Sequence, residues 1–200
     1  MFQEPRVYNG DQLPKAGWIE VICGCMFSGK TEELIRRLNR ALIARQKVEI
    51  FKPGIDNRYH ESDIVSHADR SIRSIPVKEA ADILKLAGTC DVVGIDEAQF
   101  FDQHIVEVCN VLANSGKRVI VAGLDMDYEG KPFGPMPNLL AIAEYVTKVH
   151  AICARTGDLA SYSFRLTDDP TQVVVGEKEA YEARSRRAFL EGMRNRNQES

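Results

Sequence analysis

What the 200-residue sequence lacks narrows its function first. No apolar run approaches the length of a membrane span, and Met1 to Gly17 is polar and mixed where a secretory signal would be apolar. A cytoplasmic protein with no membrane partner is therefore expected. The five cysteines, Cys23, Cys25, Cys90, Cys109 and Cys153, form no C-x-x-C pair, which argues against a disulfide framework and for buried, reduced thiols. A net charge of −3 and a pI near 5.9 leave no basic field for nucleic acid. A small anionic ligand held locally fits that balance better. Nothing repeats internally. At this length, with 44% hydrophobic residues, one domain with a substantial core is expected, with room for a minor appendage.

Short β-branched runs at Trp18 to Cys23, Val48 to Phe51, Val92 to Ile95, Val119 to Ala122 and Val146 to Ile152 alternate with helical patterns. Near-continuous apolar strands separated by helices argue for an α/β fold with a parallel sheet covered on both faces and ligands at its carboxyl edge. Leu34, Ile35, Leu38, Ala41 and Leu42 fall on one helical face, as do Ile105, Val106, Val108, Cys109 and Leu112 within the helix expected between Asp102 and Asn114. After Cys153 the pattern turns short and polar, at Ser161 to Leu166 and Gln172 to Val175, and reads as a small β-rich appendage. These shifts divide the chain at 1–151 and 152–192, with 193–200, dense in Arg, Glu, Asn and Gln, expected to be disordered.

Two motifs carry chemistry. Gly24 to Thr31 reads G-C-M-F-S-G-K-T, a complete G-x-x-x-x-G-K-[ST] loop between a strand and an amphipathic helix. The backbone N–H groups from Gly24 through Cys25, Met26, Phe27, Ser28 and Gly29 can curl around a phosphate. Lys30 can reach its terminal oxygens and the Thr31 hydroxyl can bind Mg²⁺. The second motif, V-V-G-I-D-E-A-Q-F-F from Val92, is an apolar strand ending in two acids. Asp96 is the expected metal-side carboxylate, leaving Glu97 to orient a water in an ATPase or to accept a hydroxyl proton in a kinase. Arg58, a planar and always-charged fork, suits phosphate oxygens that gain charge during transfer.

Together with F-K-P-G-I-D-N-R-Y at Phe51, V-S-H at Val65, A-G-L-D at Ala122, K-P-F-G at Lys131 and Y-E-A-R at Tyr181, these motifs resemble the thymidine kinases of the cellular and bacterial type. The resemblance runs from Gly17 to about Phe189. It implies a P-loop, RecA-like domain with a small lasso domain, and transfer of the γ-phosphate of ATP, with Mg²⁺, to the 5′-hydroxyl of thymidine. It implies Glu97 as catalytic base, Lys30, Thr31 and Asp96 as phosphate and magnesium groups, and Asp56, Arg58 and Gln99 near the donor. It places Met26, Phe100, Leu124, Tyr128 and Phe133 around the thymine. The lasso would contribute Ser163, Val173, Val174, Val175, Gly176 and Tyr181. A homotetramer and feedback inhibition by thymidine triphosphate are also implied.

One departure stands out. The family clamps its lasso with zinc, which needs four ligands such as two C-x-x-C pairs. Only Cys153 remains here; Thr156, Ser185 and Ala188 occupy the other three positions, and His150 would supply at most a second ligand. No zinc site is expected, and Ile152, Leu159, Phe164 and Phe189 are the residues expected to hold the lasso base by packing. Three other readings are a helicase-like ATPase suggested by D-E-A-Q, a nucleotide sensor without turnover, and a kinase for deoxyuridine or deoxycytidine. DNA- or RNA-stimulated hydrolysis would mark the first, tight binding without turnover the second, and nucleoside preference the third.

Overall fold

Side-chain alternation along the strands decides how the layers stack. The structure is a computed structural model that describes residues 16–54, 63–64, 72–167 and 180–199. In β1 (Trp18–Gly24), Ile19, Val21 and Cys23 enter one apolar layer while Ile22 enters the other. A sheet apolar on both faces needs cover on both. Helix α1 (Lys30–Ile43) packs Leu34, Leu38 and Ala41 on the Ile22 side. The opposite side is covered by α2 (Asp82–Leu86), α3 (His104–Asn114) and α4 (Met136–Ile142), which contribute Ile83, Ile105, Val108, Leu112, Met136 and Leu139.

The remaining sheet strands are β2 (Val48–Pro53), β3 (Asp63–Ile64), β4 (Ile72–Val77), β5 (Val92–Ile95), β6 (Arg118–Leu124) and β7 (Tyr145–Lys148), in the order β3-β4-β2-β5-β6-β1-β7. All neighbours are parallel except the β3–β4 pair. The expected α/β architecture is what the structure shows. Its register sets Gly24 opposite Leu124 and Ile95 opposite Val121, so the loops after β1, β5 and β6 meet at one carboxyl edge. No helix among the described residues is long and apolar enough to cross a membrane.

Two features differ from the sequence expectation. Strand β4 has no counterpart in the sequence expectation, because Arg73, Ser74 and Pro76 break its apolar pattern. Pro76 is tolerated because β3 pairs only with Ile72 and Arg73, so no described strand lies on the far side of β4 at that point. The run Val146 to Ile152 is also two strands. After β7 the Val149 N–H donates to the Cys23 carbonyl, and β8 (Ala151–Ile152) then leaves the main sheet to pair with β9 (Leu159–Ala160). Gly24 allows this exit: its φ is 153°, and a Cβ there would lie 2.3 Å from the Val149 carbonyl oxygen.

The appendage adds an antiparallel pair, β10 (Tyr162–Arg165) with β11 (Tyr181–Arg184), followed by α5 (Arg186–Glu199). The expected strand at Ser161 to Leu166 is therefore present. Helix α5 runs through 193–199, where composition suggested disorder. It is held by the stack of Phe189 on Tyr162 at 4.5 Å, by Met193 packed on that cluster, and by Arg196 donating to the Arg165 carbonyl at 2.6 Å. Of the four residues expected to pack the lasso base, Phe164 and Phe189 are buried, whereas Ile152 and Leu159 are exposed. Those two are cross-strand partners in a two-stranded hairpin, and the face they share points outward.

Candidate active site

The phosphate loop is closed by its own groups. Lys30 Nζ and Ser28 Oγ both donate to the Cys25 carbonyl, at 2.8 and 2.7 Å, and Gly29 takes the left-handed φ of 82° that turns the chain into α1. Two further bonds tie the loop to the appendage: Met26 N–H donates to Ser163 Oγ at 2.9 Å and Cys25 Sγ to the Ala160 carbonyl at 3.3 Å. The resemblance gives the backbone of this stretch to the base; the Ser163 hydroxyl joins the loop to β10. Ser163→Ala should leave the Met26 N–H without a partner and cost about 1–3 kcal/mol, read as a lower Tm in thermal denaturation.

Thr31 and Asp96 meet from opposite elements, Thr31 Oγ1 lying 3.2 Å from Oδ2 and 3.4 Å from Oδ1 of Asp96. Burial first, and the neighbouring Glu97 charge second, push the Asp96 pKa up to about 7. A nearly buried carboxylate opposite a hydroxyl is a hard-oxygen pair that a small divalent cation would satisfy. The sign for stability follows. Between the ordinary value of 3.8 and about 7, the native protein keeps a proton that the unfolded chain has lost. Metal-free stability should therefore fall as pH rises through that window, and the slope should flatten in Asp96→Asn. Melting curves in chelator, repeated with Mg²⁺, check this, Mg²⁺ being expected to oppose the decline.

Glu97 takes the left-handed φ of 51°, a conformation that costs a non-glycine residue about 1–3 kcal/mol. Its Oε2 accepts a 2.5 Å bond from Gln99 Nε2. The two acids are thus differently used: Asp96 faces Thr31 while Glu97 is aimed by its own backbone and by Gln99. Gln99 is buried, and its Oε1 accepts from Leu124 N–H at 2.9 Å. It therefore bridges Glu97 to β6.

The base-pocket candidates form two groups. Phe100 and Phe133 make an edge-to-face pair with centroids 5.5 Å apart, beside the strand end that carries Leu124. Tyr128 and Tyr181 are joined by a residue that sequence reasoning did not single out. The Arg165 guanidinium lies 3.6 Å from the Tyr128 ring centroid, and Arg165 Nη2 donates to Tyr181 Oη at 2.8 Å. Arg165 is fully buried. An arginine in a short alternating strand carries no signal that it will point inward. Asp125, within the A-G-L-D motif but assigned no role, pairs with Lys148 at 2.6 Å, and its Oδ1 is buried without a partner among the described residues. Asp56, Arg58, Val173, Val174, Val175, Gly176 and the V-S-H motif lie outside the described residues.

Around Cys153 an apolar cluster meets two neutral hydroxyls. Cys25, Ala151, Ala160, Ala183 and Ala188 form one buried cluster with it, and the Thr156 and Ser185 hydroxyls are 3.4 Å apart. Burial opposes ionisation of the Cys153 thiol, but hydrogen bonds from the Thr156 hydroxyl and from Ser185 and Arg155 outweigh it and lower the pKa to about 6. All five cysteines are buried and unpaired.

A phosphate loop and an acid pair brought to one edge of a doubly covered parallel sheet define a P-loop nucleotide-dependent phosphotransferase. The chain belongs to the thymidine kinase family: that family's model, described as thymidine kinase, matches residues 17–189. Similar proteins include a thymidine kinase of Rhodothermus sp., 64% identical over 173 residues, covering 86% of this chain and 81% of that protein. A thymidine kinase of Bacteroides thetaiotaomicron is 58% identical over 190 residues, covering 95% and 94%. One from Bacteroides fragilis is 57% identical over 200 residues, covering 100% and 99%.

Proposed function

We infer that the protein transfers the terminal phosphate of ATP to the 5′-hydroxyl of thymidine. The observation that carries this reading is the division of labour between two adjacent acids. Asp96 faces Thr31, and Glu97 is held apart by a left-handed backbone and a buried amide. Thr31 and Asp96 would hold Mg²⁺, which supplies charge neutralisation on the transferring phosphate. Lys30 exchanges its bond to the Cys25 carbonyl for phosphate oxygens. Glu97 takes the proton of the 5′-hydroxyl as that oxygen bonds to the terminal phosphorus, the bond to the bridging oxygen breaks, and ADP leaves. Phe100, Phe133, Leu124, Tyr128 and Met26 supply an apolar and aromatic site for a flat methylated base.

The experiment is a chromatographic assay of ATP and Mg²⁺ with thymidine, deoxyuridine and deoxycytidine in turn, beside a control without nucleoside. Thymidine-dependent formation of ADP and thymidine monophosphate is expected. Deoxyuridine should be weaker, since one methyl in an apolar pocket contributes about 1–3 kcal/mol. Nucleoside-independent hydrolysis, or tight binding without turnover, would overturn the reading.

The same proposal includes a homotetramer, inhibition by thymidine triphosphate, a cytoplasmic location and an appendage that folds without zinc. The alanine-rich surroundings of Cys153 and the hydroxyl pair of Thr156 and Ser185 support the last point, because neither alanine nor a neutral hydroxyl replaces a thiolate on structural zinc. Elemental analysis of purified protein should return substoichiometric zinc, and a chelator should leave the Tm unchanged. One zinc per chain would sink it.

A further inference from the structure

Gln99 sits between two residues that the proposed reaction uses for different purposes. Its Nε2 donates to the Glu97 carboxylate at 2.5 Å, and its Oε1 accepts from the backbone N–H of Leu124 at 2.9 Å. Leu124 ends β6 beside the apolar site proposed for the base, so one side chain spans from that strand end to the carboxylate proposed to take the proton. Both ends of the amide are committed.

The surroundings leave the side chain little freedom. Gln99 is 2% exposed. A Cβ added at Gly123 would lie 2.9 Å from Gln99 Oε1 and 2.7 Å from Met136 Sδ. A Cβ at Gly134 would lie 2.3 Å from the Gln99 carbonyl oxygen, and Gly134 itself has a φ of 50°. Two glycines thus allow β6 and the loop before α4 to approach Gln99 more closely than any larger residue would permit. Close packing of this kind fixes one rotamer and holds the amide in register with both partners. Glu97 needs such an external restraint, because it follows the strand in a left-handed conformation and leads only into a short 3₁₀ turn, Ala98–Phe100.

We propose that Gln99 is a positioning residue for the phosphoryl transfer. It locks the Glu97 carboxylate to the end of β6, so that the acceptor hydroxyl of a base seated beside Leu124 meets a correctly aimed carboxylate oxygen. This rests on the kinase reading above. It differs from a role in holding the ATP phosphates, since it acts through Glu97 and not through the donor. Misplacement of a catalytic group by about 1 Å can cost on the order of 10²-fold in rate while leaving substrate affinity almost intact.

The test compares Gln99→Met, Gln99→Asn, Glu97→Gln and the double variant Glu97→Gln/Gln99→Met with the unaltered protein. Readouts are kcat, KM for thymidine and for ATP, thymidine binding by calorimetry, and Tm. Gln99→Met should lower kcat about 10²-fold, with both KM values and the thymidine Kd within about threefold. In the Glu97→Gln background the same substitution should cost less than about threefold more, because the group it positions is already gone. Gln99→Asn keeps the amide but is one methylene too short to reach both Glu97 and Leu124; it carries the test if Gln99→Met does not fold, and it should lose kcat comparably. A rise in KM for ATP as large as the fall in kcat, or additive losses in the double variant, would overturn the proposal. Absence of thymidine phosphorylation by the unaltered protein would instead overturn the kinase reading on which it rests.

Discussion

Glu97→Gln should lower kcat for thymidine phosphorylation about 10²–10⁴-fold while KM for thymidine and ATP stays within a few-fold. The substitution keeps the shape and the partner of the side chain. Glutamine still offers an oxygen to Gln99 Nε2 at the place where Oε2 now accepts at 2.5 Å. It removes the capacity to take a proton and, with it, the negative charge beside Asp96. The effect is expected in kcat because a general base of the proposed kind acts only as the oxygen–phosphorus bond forms, when the hydroxyl becomes acidic. The loose character of phosphoryl transfer means that aim contributes alongside basicity. A shorter carboxylate, Glu97→Asp, should therefore also be slow despite keeping the charge. Steady-state kinetics with both substrates varied decides this, and a Glu97→Gln rate within tenfold of the unaltered protein would remove Glu97 as the base.

Glu20→Gln should destabilise the fold by about 3–5 kcal/mol. Glu20 is fully buried beneath α1, and its carboxylate is surrounded by donors. Trp18 Nε1 and Arg37 Nη1 each lie at 2.8 Å, Arg118 Nε at 2.6 Å and Arg118 Nη2 at 3.3 Å. Arg37, also fully buried, reaches on to Glu33 and to Thr147 on β7. The network thus ties α1 to β1, β6 and β7, the strands that flank the phosphate loop. Taking the carboxylate away leaves two guanidinium charges in an apolar layer short of their shared partner, and the desolvation already incurred is no longer offset. For a chain of this size the expected fall in Tm is roughly 6–20 °C. Replacing Glu20, Arg37 and Arg118 together with apolar residues of similar volume should recover most of that loss, since no buried charge remains. A fall below about 1 kcal/mol for Glu20→Gln alone would show that water reaches the network.

The same network shows where reading from sequence stops. Glu20 sits in a strand of otherwise apolar residues, and Arg37 and Arg118 are ordinary charges in an amphipathic helix and at a strand start. Nothing local says that the three converge. They do so because parallel register places Glu20 beside Ile120 and Tyr145, and because α1 crosses that face with Arg37 turned inward. Arg165 follows the same logic between Tyr128 and Tyr181, as does Gln99, whose two bonds link residues 2 and 25 positions away. Strand β4 is not legible in the sequence because Pro76 is unfavourable in most strands; among the described residues no strand pairs with it on the β3 side.

What the sequence by itself determined was the chemistry that depends on spacing along one segment. The G-x-x-x-x-G-K-T loop, the apolar strand ending in Asp96 and Glu97, the alternation of strands and helices, and the membership of the family are all local patterns, and local backbone physics is enough to interpret them. Tertiary structure alone decided which groups meet across the sheet edge. Thr31 faces Asp96 from 65 residues away, and Ser163 holds the Met26 N–H from 137 residues away. Gln99 joins Glu97 to the Leu124 N–H, 25 residues further along the chain. Such contacts arise from strand order, register and close packing, which are set by the whole core at once, so no window of the chain contains them.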